Sequence, residues 1–194
     1  MTIPDGGPRR QGVNRGMTSA HATIELQVDK VGQLFDMLDP QPFRERDLNR
    51  EAEEFIVGWA RELPRKAPLE IVIHMPPDEV ASEQGQGLPA AMKRYFSYRA
   101  GATSAELREL FRIGRYSMLV GLLVMAACIS LSTILPPLIP QREPGLIVRE
   151  GLIILGWVAN WRPIEIFLYD WWPLVRRRKL FERLSQSPVR VQPH

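Results

Sequence analysis

The sequence predicts an α+β membrane protein: a two-helix transmembrane hairpin that extends into a cytoplasmic helical stalk, with a small cytoplasmic α+β domain. Three observations lead there. Residues 117–135 read SMLVGLLVMAACISLSTIL, a run without a charge, and a second apolar run begins near Leu146. Cations gather before the first run and after the second. Two short segments, 22–28 and 69–75, alternate apolar and polar residues as half-buried strands do.

Residues 1–21 hold Arg and Gly but no apolar core of the length a secretory signal needs, so they read as a disordered tail, with Met17 an alternative to Met1 as the start. Residues 22–77 form the cytoplasmic α+β domain. In ATIELQV, Ile24, Leu26 and Val28 share one face of a strand. Asp29 can cap a short helix carrying Val31, Leu34, Phe35 and Leu38, and Asp39-Pro40-Gln41-Pro42 ends it. A helix over residues 49–63 aligns Ala52, Phe55, Ile56, Trp59 and Leu63, with Pro64 after it. Leu69, Ile71, Ile73 and Met75 mark the second strand. Val189-Arg190-Val191, inside a C-terminal strand or tail at 186–194, returns as a third, because two strands alone make a marginal sheet.

Residues 78–87, DEVASEQGQG, read as an acidic linker. A cytoplasmic helix at 88–116 leads into the membrane, with Gly101 and the pattern Thr103-x-x-Glu106 marking a break and a fresh start. The first transmembrane helix is 117–135; at a rise of ~1.5 Å per residue it covers about 28 Å, close to a bilayer core of about 30 Å. Residues 136–145, PPLIPQREPG, form an external turn, 146–168 the second transmembrane helix, and 169–185 a cytoplasmic helix.

Orientation follows from the cations. Arg99, Arg108, Arg112 and Arg115 precede the first span; Arg176, Arg177, Arg178 and Lys179 follow the second; the turn carries only Arg142. The positive-inside rule therefore puts both termini in the cytoplasm, with the protein multi-pass in its membrane. The second span is the less regular one, since Arg149 and Glu150 lie near its start and WRPIEIFLYDWWP, 161–173, near its end. If the hairpin turns symmetrically about 136–145, Glu165 falls level with Arg115 and Tyr116, and Asp170 level with Arg112. This predicts a charge clasp of Arg112, Arg115, Arg162, Glu165 and Asp170 between the two helices, with Arg162 snorkelling to the cytoplasmic surface. A deeper membrane boundary at Trp171 and Trp172 would instead bury Arg162 and imply a conduction path. Ser117, Gly121, Cys128 and Ser132 place small residues on one side of the first span, where they seat the second.

Chemistry-bearing motifs are few. Cys128 lies in an apolar run with nothing beside it to lower its pKa. His21, His74 and His194 have no second ligand at metal spacing, and the acidic Glu51, Glu53 and Glu54 suit the first turn of a helix. No phosphate loop, nucleophile elbow or zinc-helix motif is present. The expectation is no enzyme and no catalytic, cofactor-binding or metal residues. Arg176, Arg177, Arg178 and Lys179 form a membrane-surface basic cluster suited to anionic lipids rather than nucleic acid.

The segments ERDLNREAEEFIVGWARELP (45–64) and IEIFLYDWWP (164–173), arranged around a two-span core, resemble an uncharacterised family of small bacterial inner-membrane proteins with two transmembrane helices. The resemblance implies a bacterial inner-membrane setting and no activity. The function read from the sequence is a non-enzymatic scaffold or interaction module that presents a cytoplasmic domain, in contact with the lipid bilayer and with a homo-oligomer or another membrane protein as partner. The alternative is a subunit of an oligomeric channel or transporter using Arg162 and Glu165.

Overall fold

The computed structural model describes residues 22–36, 46–64, 67–139 and 142–194. The chain is mostly helical, with two long apolar helices and a small three-stranded sheet. The tail at 1–21, the 39–42 break and Leu38 lie outside the described residues.

Strand β1, Ala22–Gln27, pairs in parallel with β2, Leu69–Met75, placing Ile24 opposite Ile71 and Leu26 opposite Ile73. Strand β3, Val189–Pro193, pairs in parallel with the other edge of β2, with Ile71 opposite Val189. The order is β1-β2-β3. Alternation identifies strands but not their direction, and the parallel arrangement has a consequence. Two parallel neighbours need a crossover connection. The first crossover runs through the 3-10 turn Val31–Leu34 and helix α1, Arg50–Glu62. The second is residues 76–188, so the apolar hairpin is itself an insertion in a strand-to-strand connection of the sheet.

Asp29 does not cap the first turn. Gln33 does so from inside it: Oε1 accepts the Asp29 N–H at 3.1 Å and the Lys30 N–H at 3.4 Å. At α1 the Asn49 carboxamide oxygen accepts the Glu51 N–H, and Glu51 and Glu53 occupy the first turn, where the helix dipole favours carboxylates.

The expected linker at 78–87 is helical instead. Helix α2, Pro77–Ala81, begins on a proline that has no N–H to leave unpaired. Ser82 then caps α3, Glu83–Ile134, by accepting the Gly85 N–H at 2.9 Å. Gly85 faces the Glu79 carbonyl so closely that any side chain would collide with it, which accounts for glycine where the composition suggested a flexible loop. Helix α3 also runs unbroken through the expected restart at Gly101–Thr103. Thr103 Oγ1 turns back to donate to the Arg99 carbonyl at 2.9 Å, a bond compatible with the helix interior. Its 52 residues make a rod about 78 Å long at ~1.5 Å per residue.

After the 3-10 turn Pro136–Leu138 the chain reverses into α4, Arg142–Ala159, then a short α5, Trp161–Glu165, a π-helical turn at Ile166–Asp170, and α6, Trp171–Gln186. The domain core lies where the sheet meets α1, the first turns of α3 and the end of α6. Ile24, Ile71 and Ile73 pack with Ile56, Leu88, Met92, Phe96 and Phe181, all fully buried. The unit expected from residues 22–77 with a C-terminal strand is thus completed by both stalk helices. Burying each such side chain stabilises by about 1.5–3 kcal/mol, so the helices that carry the hairpin also hold the domain together.

Candidate functional site

The hairpin seam is built from small residues. Gly114, Gly121, Cys128 and Ser132 are buried along α3, and Ser117 is half-buried. A Cβ on Gly114 would lie 2.8 Å from Ile166, one on Gly121 would lie 2.8 Å from the Asn160 side chain, and one on Gly156 would lie 3.3 Å from Cys128. These contacts match the depth register expected from a symmetric turn. They also make Cys128 a packing residue of the seam.

Asn160 is the polar residue the sequence reading passed over. It is 7% exposed, and its amide nitrogen donates to the Gly121 carbonyl at 3.1 Å across the seam and to the Gly156 carbonyl at 3.0 Å on its own helix. Three residues later Pro163 cannot donate the helix bond to the Ala159 carbonyl. That carbonyl faces Gly121, where a Cβ would lie 3.0 Å away. Break, glycine and amide therefore form one unit. The signal was present in the sequence: Asn160 is the lone amide of the apolar run 151–161, three residues before a proline and level with Gly121.

Below the break the charges organise along the second helix instead of across the hairpin. Arg162 Nη1 lies 3.2 Å from Glu165 Oε2 and 3.1 Å from Asp170 Oδ2. The Trp161 indole N–H donates to the other Glu165 oxygen at 2.9 Å. Arg112 pairs with Glu109 on its own helix at 2.7 Å, and Arg115 is exposed, so neither joins the expected clasp. The reason is angular. Eight α-helical residues would leave Asp170 about 80° round from Arg162; the wider π turn between them takes up that angle and aligns the two. Trp171 Nε1 donates to the Phe167 carbonyl within that turn at 2.9 Å. Above the cluster an open groove of about 260 Å³ is lined by Tyr116, Ser117, Gly121, Arg162 and Pro163 among others.

The basic run divides. Arg177 stacks its guanidinium over the Phe181 ring at 5.6 Å, and Arg178 forms an ion pair with Glu182. Arg176, over Trp172 at 5.9 Å, and Lys179 remain exposed. A second polar knot ties α1 to α3: Glu53 accepts from the Tyr95 hydroxyl at 2.8 Å and from Arg99 at 2.7 Å, and Arg99 lies over Phe181 at 5.4 Å. Burial, and then the Glu53 carboxylate, push the Tyr95 hydroxyl well above the usual phenol range. Burial is the largest single influence and works against the Arg99 charge, but the Glu53 hydrogen bond and charge, with the nearby Tyr95 and Asp47, together outweigh it and raise its pKa. The acidic run at the start of α1 thus supplies a tertiary tie as well as first-turn charge.

Among the described residues no group of three or more His, Cys, Asp or Glu is placed to hold a metal ion. His74 lies on the outer, half-exposed face of β2. Comparison with known protein families, with curated proteins and with solved structures finds no match.

Proposed function

We propose that this chain is a membrane-anchored scaffold or interaction protein, without catalytic activity, whose hairpin crosses the bacterial inner membrane and whose sheet domain stands in the cytoplasm on the α3–α6 stalk. One observation carries the reading. The helical stretches Glu83–Leu138 and Glu143–Gln186 are long and apolar enough to cross a membrane, yet only 17% and 22% of their most apolar windows are buried within the chain. The core helix of a water-soluble domain buries its apolar face. Here Leu119, Leu123, Ile154 and Val158 are each more than half exposed, and a bilayer is the solvent that suits them.

Two further features support the placement. Tyr116 and Tyr169, 71% and 69% exposed, fall within about one helical turn of each other in depth beside the Arg162 cluster, as the residues of an aromatic belt do at an interface. Beyond them come the outward cations Arg115, Arg176 and Lys179, suited to anionic headgroups and to the cytoplasmic side. Arg162 lies about one turn inside and reaches its carboxylate partners in the direction of the surface, which is snorkelling along its own helix.

The channel alternative is less well supported, because Arg162 is already paired to two carboxylates by a helix turn that aligns them. Reconstitution in liposomes separates the two readings. A scaffold leaves ion flux at the level of empty vesicles both for the wild type and for Glu165→Gln, while that substitution lowers the melting temperature. A flux above background that Glu165→Gln abolishes would establish the channel.

A further inference from the structure

Arg149 and Glu150, both exposed on α4, make no ion pair among the described residues. They are also deep for charges. The seam contacts of Gly145 with Pro136 and of Gly156 with Cys128 put Glu150 level with about residue 131 of α3, and the exposed apolar Ile134 and Leu138 lie further out. On the second helix the charge-free run is only 151–161, about 16 Å against a bilayer core of about 30 Å. Consecutive residues diverge by about 100° on a helix, so Arg149 and Glu150 cannot satisfy one another.

The apolar surface around them has direction. Leu146, Glu150, Ile153 and Trp157 follow one another at spacings of four, three and four, continuing to Trp161, and each is exposed. At about 100° per residue this stripe lies roughly a quarter turn from the seam residues Gly156 and Asn160. A quarter turn between two packing directions is the geometry of a four-helix bundle.

We propose that a second copy of this chain covers the stripe, in a two-fold dimer with its axis along the membrane normal, in which Arg149 of each copy pairs with Glu150 of the other. Charge complementarity selects a second copy over lipid. Glu150 stands in the stripe and Arg149, at nearly the same depth, lies about 100° round from it on the seam side, so a parallel two-fold partner brings the Glu150 of each copy to the side on which the other copy's Arg149 projects, twice. Two pairs shielded from lipid remove the mismatch that unpaired charges one turn inside the bilayer would create.

The inference rests on the membrane placement proposed above, and the experiment separates the two. Full-length protein is expressed with Cys128→Ser and Trp157→Cys, extracted from membranes at alkaline pH, and oxidised in the washed membranes. The expected result is a disulfide-linked dimer, with Leu155→Cys, on the far face, giving at least tenfold less. Arg149→Glu alone and Glu150→Arg alone should each reduce the dimer about tenfold. The double substitution, and equally a co-expressed mixture of the two single variants, should restore it, because mixing creates complementary pairs that neither variant has alone. The double variant also shows that the substituted helix folds and inserts. A chain that stays in the alkali-washed membrane but links no better at 157 than at 155, or whose single charge variants link as the wild type does, overturns the dimer and leaves the stripe to lipid or another protein. A chain that washes off the membrane overturns the placement, and with it this inference.

Discussion

Asn160, almost wholly buried, joins the two apolar helices through bonds shielded inside the seam. Asn160→Leu keeps the branched shape and removes the donated bonds to the Gly121 and Gly156 carbonyls, so the hairpin should lose about 1–2 kcal/mol, read as a lower melting temperature in detergent. Gly121→Val should cost more, because its Cβ would meet the Asn160 oxygen at 2.8 Å and the Ala159 carbonyl at 3.0 Å, and the second of these is backbone that cannot swing aside. Tyr95 makes a different prediction, within the sheet domain. Its folded-state pKa is raised by burial and by Glu53. Below the unfolded value of about 10 both states keep the proton, and the stabilisation is complete. As pH rises above that value the unfolded chain loses the proton first, so stability falls with increasing pH. Tyr95→Phe should flatten that alkaline loss in urea titrations run on either side of pH 10, at the cost of one hydrogen bond at neutral pH. An equally steep alkaline loss in the variant would assign the effect to another group.

At the scale of elements, the π turn Ile166–Asp170 decides which charges meet. Asp170→Arg would set two cations against each other. Adding Arg162→Glu should recover most of the lost melting temperature, whereas adding Arg112→Asp should recover none, since Arg112 is engaged with Glu109 and not with Asp170. What the sequence could and could not tell follows the same line. Depth along a hairpin is countable: the register of a turn symmetric about 136–145 comes within a residue or two of the observed contacts of Gly121 with Asn160 and of Gly114 with Ile166. Azimuth is not countable when a π turn intervenes, and the cross-hairpin clasp failed on that point. Helix α1 was legible, expected at 49–63 and found at Arg50–Glu62, because its apolar stripe and its Asn49 cap agree. The linker reading failed because Gly85 and Gly87 outweighed the stronger start signals, Pro77 and Ser82. Strand direction was not legible at all, since alternation is the same in either sense.

For the whole molecule, the decisive feature is that the hairpin lies inside the β2-to-β3 crossover. The first turns of α3 and the end of α6 belong to the domain core, through Leu88, Met92, Phe96, Phe181 and Leu184, so a shift of the hairpin helices is passed to the sheet without an intervening linker. Removing the hairpin residues should therefore destabilise the sheet domain as well as release it. Phe96→Ala, at the junction, should cost about 3–5 kcal/mol of domain stability. The measurement that tests the central claim most directly is labelling of single cysteines by a water-soluble maleimide in intact membranes, in a Cys128→Ser background with Leu123→Cys, Ile154→Cys and Tyr169→Cys. The account predicts that position 169 labels from the cytoplasmic side while 123 and 154 stay unlabelled until the protein is unfolded out of the bilayer. Labelling of 123 and 154 as fast as 169 would show that water, not lipid, covers the apolar faces, and would contradict it.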